Sequence, residues 1–336
     1  MTTIDINNLH LKLDEIIHNY KGNEFVLNKL NNYIINVLPI TLDTYNNTII
    51  KREAKKNKIK IENNEFTERF LLKNKYSYCS HNELFLLYNG VHFTAYSEDD
   101  IQYQILTTIT NEKLLIPWKY KIRNNIIKIV KDTSPLKTIP ESATIQFVIN
   151  NLYPNIFTSR NSTKHFLTVL GDCLLNKNDK LTYIVSPNFK NFIREINNLV
   201  YTYFGLSNIF NSIKFKYHDH DYTSSRVINL NTPSIIKIPQ NISKYILDML
   251  CVCCHYSNRY ESADKFLEQC SDNNLVENVM YLNRNTQEQI IDQFIHNTIN
   301  KCNGTKIKHK NIIFIWKKFL QKMNIPNILF YDSLKN

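Results

Sequence analysis

Two short runs of this chain have the composition of metal-ligand sets. Tyr217-His218-Asp219-His220-Asp221-Tyr222 alternates two imidazoles with two carboxylates. On an extended strand His218 and His220 would share one face and the acids the other. Cys251-Val252-Cys253-Cys254-His255 sets Cys251 and Cys254 three residues apart, a spacing that one helical face can hold. If the chain brought them together, His218, His220, Cys251 and Cys254 would form a Cys2His2 zinc site. The first run misses the H-x-H-x-D-H order of metallo-hydrolases, because Tyr222 and Thr223 follow Asp221. The second lies in an apolar helical stretch, where cysteine is ordinarily a buried small hydrophobe. The bland reading, a polar turn and a core helix, is therefore preferred. No metal or cofactor is expected, and a metal-dependent hydrolase is kept only as an alternative. Serines, histidines and acids do not stand at any spacing diagnostic of nucleophilic or paired-carboxylate catalysis.

The cations point elsewhere. Residues 51–60, KREAKKNKIK, hold six Lys or Arg against one Glu, with Lys55, Lys56, Lys58 and Lys60 among them. Arg160 and Lys164 are one helical turn apart at the start of a predicted helix, with Asn161 between them. Near the end come Lys308, Lys310, Lys317 and Lys318. The whole chain carries a formal charge of +11. Such a balance suits a polyanionic partner, and lysines that neutralise phosphates make binding fall steeply with salt. A solvated helix face is the plain alternative for each run.

The elements that must position these residues follow from periodicity and punctuation. Apolar residues recur at helical steps through residues 1–50, with Pro39 expected to end the second run. Residues 66–133 alternate like strands around Asn89-Gly90, a hairpin dipeptide, and then restart a helix capped by Ser97. Thr138-x-x-Glu141 reads as a capping box that opens a helix ended by Pro154. Ser159 caps the next helix, whose core face is Phe166, Leu167, Leu170 and Leu174. This pair resembles a helix-turn-helix, in which Arg160, Asn161 and Lys164 would meet a duplex. Short strands are expected at 181–185, 213–217 and 226–230, with a helix opening at Ser186-Pro187. Helices are expected at 241–256, 262–269, 286–299 (with the capping box Thr286-x-x-Gln289) and 309–323. The last of these, after the basic turn at 306–310, could begin a partial winged helix.

The expected fold is α+β and mostly helical. It has a small mixed N-terminal module, a helix-turn-helix-like middle and a helical C-terminal part with a possible partial winged helix. Boundaries are drawn at 1–135, 136–283 and 284–336. With 5 glycines, the chain contains neither G-x-x-x-x-G-K-[ST] nor G-x-G-x-x-G, which argues against a P-loop NTPase. Seven cysteines without a regular framework suit a reducing compartment. The polar N-terminus and the lack of a long apolar run predict neither a secretory leader nor a membrane partner.

Several stretches carry a resemblance. WKYKIRNNIIK, IPESATIQFVINNLYPNIFTSRNSTKHFLTVLGD, FKYHDHDYTSSRVINL, LDMLCVCCHYSNRYESADKFL and IFIWKKFLQKMNIPNILF resemble uncharacterised proteins of mimivirus-like giant DNA viruses. The bias to Asn, Ile, Lys and Tyr agrees. FLLKNKYSYC with ELFLLYNGVHFTAYSEDDI is similar to the module that precedes the helicase in poxvirus-type primase-helicases, and 286–336 to the winged helix that follows it. The missing phosphate loop departs from those enzymes. The resemblance implies a non-enzymatic viral protein that binds nucleic acid, DNA more than RNA, in replication or transcription. Other viral replication or transcription proteins are its implied partners. Its implied place is the host cytoplasm or viral factory, as a soluble intracellular protein. A structural or interaction protein of the virion or replication compartment is the alternative.

Overall fold

A computed structural model describes residues 5–177, 180–216, 220–231, 242–300, 306–323, 325, 327–329 and 334. Helix covers 66% of the described residues and strand 7%, so the fold is α+β and mostly helical. The chain divides into two compact units, Met1–Arg69 with Ile109–Lys119, and Phe70–Thr108 with Tyr120–Asn336. Positions 135 and 283 both fall inside the second.

The first unit is built on α1 (Ile6–Asn19), α2 (Glu24–Asn32) and most of α3 (Leu38–Lys73). Asp5 caps α1 and Asn23 caps α2, each accepting backbone N–H groups of the first turn. Pro39 does not end the run. A π-helical stretch, Tyr33–Val37, leads directly into α3 with Pro39 as its second residue. The helix continues because the π-helical turn just before Pro39 is the local change of bonding that lets helical backbone pass a residue without an N–H. Helix α3 also runs through Phe66–Lys73, where strand-like alternation was expected.

In the second unit β1 (Lys75–Cys79), β2 (Leu84–Tyr88) and β3 (Phe93–Tyr96) form an antiparallel meander. The Asn89-Gly90 turn forms as read: the Asn89 side chain accepts from the N–H groups of Val91 and His92, and Gly90 takes φ +94. Helix α4 (Glu98–Ile109) is capped by Ser97, whose Oγ accepts from Asp100 N at 3.0 Å. Helix α5 (Lys119–Lys131) buries Ile122, Ile126, Ile127 and Val130 on one face.

Helix α6 (Ser142–Leu152) begins one turn later than the Thr138 capping box implied. Its N-cap is Glu141, with no side-chain cap, and Thr138 is extended. Helix α7 (Arg160–Leu174) is capped by Ser159 as expected. Strand β4 (Thr182–Ile184) leads through a short 3-10 turn into α8 (Lys190–Phe204), which Gly205 ends in a left-handed conformation. β4 lies between β5 (Ile213–Lys214) and β6 (Ser225–Val227), parallel to both.

Helix α9 (Ile246–Tyr260) crosses α7 so closely that a Cβ on Gly171 would lie 2.1 Å from the Cys253 carbonyl oxygen. These two helices centre the main core, with the rings of Phe157, Phe166, Phe189 and Phe192 packed in tilted and edge-on contacts in the same cluster. The chain closes with α10 (Ala263–Glu268), α11 (Asn273–Val279), α12 (Tyr281–Arg284), α13 (Gln287–Thr298) and α14 (His309–Lys322). Thr286 and Gln289 form the reciprocal capping box of α13. Among the described residues of 284–336 no strand occurs.

Candidate nucleic-acid interface

Helix α14 is amphipathic in a way that separates anchoring from display. Trp316, Phe319 and Leu320 are buried against Ile290 and Phe294 of α13 in a second core cluster. The Trp316 ring meets Phe294 edge-on, with centroids 5.1 Å apart. Lys310, Phe314 and Lys317 fall at i, i+4 and i+7 on the other side, with Lys318 beside them, and all four are exposed. Phe314 is 59% exposed, and Lys318 Nζ lies 4.8 Å from its ring centroid. Lys308, the N-cap residue, and Lys306 extend the charge beyond the helix start. Residues 306–329 contain six lysines and no Asp or Glu. The four lysines read from the sequence in this segment therefore lie on and before one helix face.

The run at 51–60 is a continuous stretch of α3. Lys51, Lys55 and Lys58 make one stripe at i, i+4 and i+7; Arg52, Lys56 and Lys60 make a second. All six are exposed, and among the described residues none is in an ion pair. This ridge belongs to the first unit and α14 to the second.

The middle segment is architecture. From Ser162 to Leu174 every residue of α7 except Lys164 is buried. A helix enclosed from Ser162 to Leu174 has little face to lay in a groove, and only its N-terminal end, with Arg160, Asn161 and Lys164, reaches the surface. Arg160 reaches back to α6, donating to Gln146 Oε1 and, at 3.2 Å, to Asn150 Oδ1. Asn161 and Lys164 are half-buried at the same end. The exposed cation of this turn, Arg160, ties two helices together.

Among the described residues the zinc set is not brought together. His218 lies outside the described residues. Cys251 and Cys254 are buried in α9, where burial pushes both thiols up to about 12. The Cys251 thiol donates to the Thr138 carbonyl oxygen at 3.1 Å. A thiolate ligand needs the opposite shift. Among the described residues no three His, Cys, Asp or Glu side chains are placed to hold a metal ion.

Two features bear on catalysis. Strand β4, its turn and α8 have the strand–turn–helix order that a phosphate loop uses, but Phe189 of the turn is fully buried among Phe157, Phe166 and Phe192. An aromatic ring thus fills the turn, and no glycine opens backbone N–H groups to a phosphate there. A cleft of about 520 Å3 opens at the start of β4 and β5, lined by Lys180, Lys214, Ser207, Asn211, Ser212 and Cys173 among others. Burial pushes the Cys173 thiol up to about 11. Asp172 on its wall is already engaged, accepting from Ser257 Oγ at 2.6 Å and Ala263 N at 2.7 Å. The cleft accordingly shows no activated nucleophile with a base.

Sequence reasoning missed one pairing. His92, at the hairpin tip, bonds through Nδ1 to Asp248 Oδ2 at 2.7 Å, while Asp248 Oδ1 accepts from Phe93 N at 2.9 Å. Asp248 is buried in α9, and its carboxyl is raised above its ordinary value by burial, opposed by these two hydrogen bonds. The pair fastens the hairpin to the core helix. Its members are more than 150 positions apart, beyond any local periodicity.

No family model, curated protein or solved structure matches this chain. The assignment of function therefore rests on its own residues. No helix among the described residues is long and apolar enough to cross a membrane.

Proposed function

We propose that this chain is a non-enzymatic nucleic-acid-binding protein, with the outer face of α14 as its principal contact. The observation that carries this reading is the separation within α14. One side is fixed in the core by Trp316, Phe319 and Leu320; the other presents Lys310, Lys317 and Lys318 in a segment without acids. Folding accounts for the first side. The second is a group of exposed cations on one helix face, where they can meet phosphates. The ridge of α3 supports the reading as a second group of exposed cations, none of them in an ion pair among the described residues. A role beside a viral genome, in replication or transcription, belongs to the same proposal and draws on the sequence resemblance and the Asn/Ile/Lys/Tyr bias.

Fluorescence anisotropy with labelled oligonucleotides over a salt series tests it. The logarithm of affinity should fall linearly with the logarithm of salt concentration. The triple variant Lys310→Gln/Lys317→Gln/Lys318→Gln should lower that slope by about 2 to 3, at about 0.7 to 0.9 per phosphate contact. The control removes the same charge elsewhere, from exposed Lys12, Lys21 and Lys29. If both variants lose the same slope, the protein responds to net charge alone and the α14 site is wrong.

A further inference from the structure

The lysines of α14 surround an aromatic ring that folding does not use. Phe314 has Lys310 one turn before it, and Lys317 and Lys318 one turn after. Single exposed apolar residues are ordinary and call for no explanation. This one sits at the centre of a basic helix face, with an ammonium 4.8 Å from its ring centroid. The buried aromatic residues of the same helix, Trp316 and Phe319, already supply its packing. A similar pairing recurs on α5, where the Arg123 guanidinium lies 5.4 Å from the ring of Tyr120, itself 58% exposed.

We infer that the α14 face binds single-stranded nucleic acid, with Phe314 as a platform on which an unpaired base stacks. The inference rests on the nucleic-acid reading above and specifies the state of the strand. A ring flanked by ammonium groups matches both parts of a single strand: a base presents a π-face, and the phosphates on either side present charge. A duplex offers no such match. Its bases are already stacked, and its grooves are read mainly by donors and acceptors that point at base edges, an apolar ring meeting only the thymine methyl. The centre of this face is instead an apolar ring. Stacking is also tolerant of base identity, so the site should prefer strand state over sequence.

The test uses the full chain, a labelled single strand of about 20 nucleotides, long enough for one such site, and the corresponding duplex at fixed low salt. The single strand should bind more tightly than the duplex. Phe314→Ala should weaken single-strand binding about ten- to a hundredfold, the effect of losing one stacked base, and leave duplex affinity and the salt slope unchanged. Phe314→Trp should retain affinity, and the emission of the introduced indole should be quenched when the strand binds. Because the ring is exposed, neither change removes core packing; Ile139→Ala, at a position 76% exposed, is the control for a general loss of surface hydrophobicity. Unchanged single-strand affinity in Phe314→Ala, unquenched emission in Phe314→Trp, or tighter duplex binding would each overturn the inference. If the lysine triple variant still loses affinity in those cases, the nucleic-acid reading stands without it. If neither oligonucleotide binds at low salt, both fail.

Discussion

His165 is a polar side chain enclosed in the core, 1% exposed, with Nε2 lacking a hydrogen-bond partner in the structure. Burial is the largest influence on its imidazole and pushes its pKa down to about 4; Asp264 opposes that shift and Arg226 adds to it. The folded protein therefore keeps this ring neutral at pH values where an unfolded chain, with a pKa near 6.5, takes up a proton. Stability is unaffected by the group above the unfolded value, falls as pH drops below it, and stops falling near pH 4. The full effect is roughly 3 kcal/mol at the acid end. His165→Leu should remove this component. Urea midpoints measured at pH 7 and pH 5 should differ less in the variant than in the parent chain; an equal difference would show that His165 titrates normally. The sequence marked the apolar positions around His165 but held no sign of its burial. A histidine between Lys164 and Phe166 reads as surface or core with equal ease, and what decides is the neighbouring Arg226–Asp264 pair, which comes from distant segments.

Helix α7 shows how far periodicity reaches at the scale of an element. Its apolar positions, Phe166, Leu167, Leu170 and Leu174, were legible as one core face, and its Ser159 cap as its start. The opposite face reads as polar, yet it is buried too. Thr163 and Thr168 donate to the carbonyls of Ser159 and Lys164 in their own helix, and Asp172 accepts from Ser257 and Ala263. Satisfied polar groups can be buried at little cost, and a hydropathy pattern does not record their partners. The same limit made Arg160 and Lys164 resemble a reading face. Gly171 is the second part of this crossing, because it lets the α9 backbone approach. Gly171→Ala should be strongly destabilising, by about 1 to 3 kcal/mol or more, because its methyl group would meet the Cys253 carbonyl rather than a yielding side chain. Helix propensity alone would favour the alanine by about 1 kcal/mol. The sign of the change in thermal midpoint thus distinguishes the two effects, and a rise would contradict the close crossing.

Across the molecule, burial is distributed unevenly, and this sets where stability resides. No residue from 5 to 65 is buried, although Ile6, Leu9, Phe25, Ile40, Leu42 and Tyr45 are large and apolar. Their helical spacing was legible in the sequence; that they pack so little was not, because amphipathic periodicity reports a face without saying what covers it. In contrast, α7 and α9 bury nearly their whole lengths. A helix whose hydrogen bonds are shielded by packed side chains opens only when much of the core opens with it, whereas one surrounded by solvent opens locally at low cost. Native-state hydrogen exchange should therefore separate the chain into two classes. Amides of α1, α2 and α3 as far as the end of the Lys51–Lys60 ridge should exchange well before those of α7 and α9. The central amides of α7 and α9 should share one opening free energy and shift together with denaturant, as parts of a single cooperative core. Added single-stranded oligonucleotide sharpens the comparison. Bound ligand stabilises only what it contacts or what must unfold to release it. Protection gained at α14 and its α13 support, with none at α1 and α2, would place the contact on the C-terminal helix. Protection gained first along α3 would instead make the ridge the principal interface and reduce α14 to a secondary one.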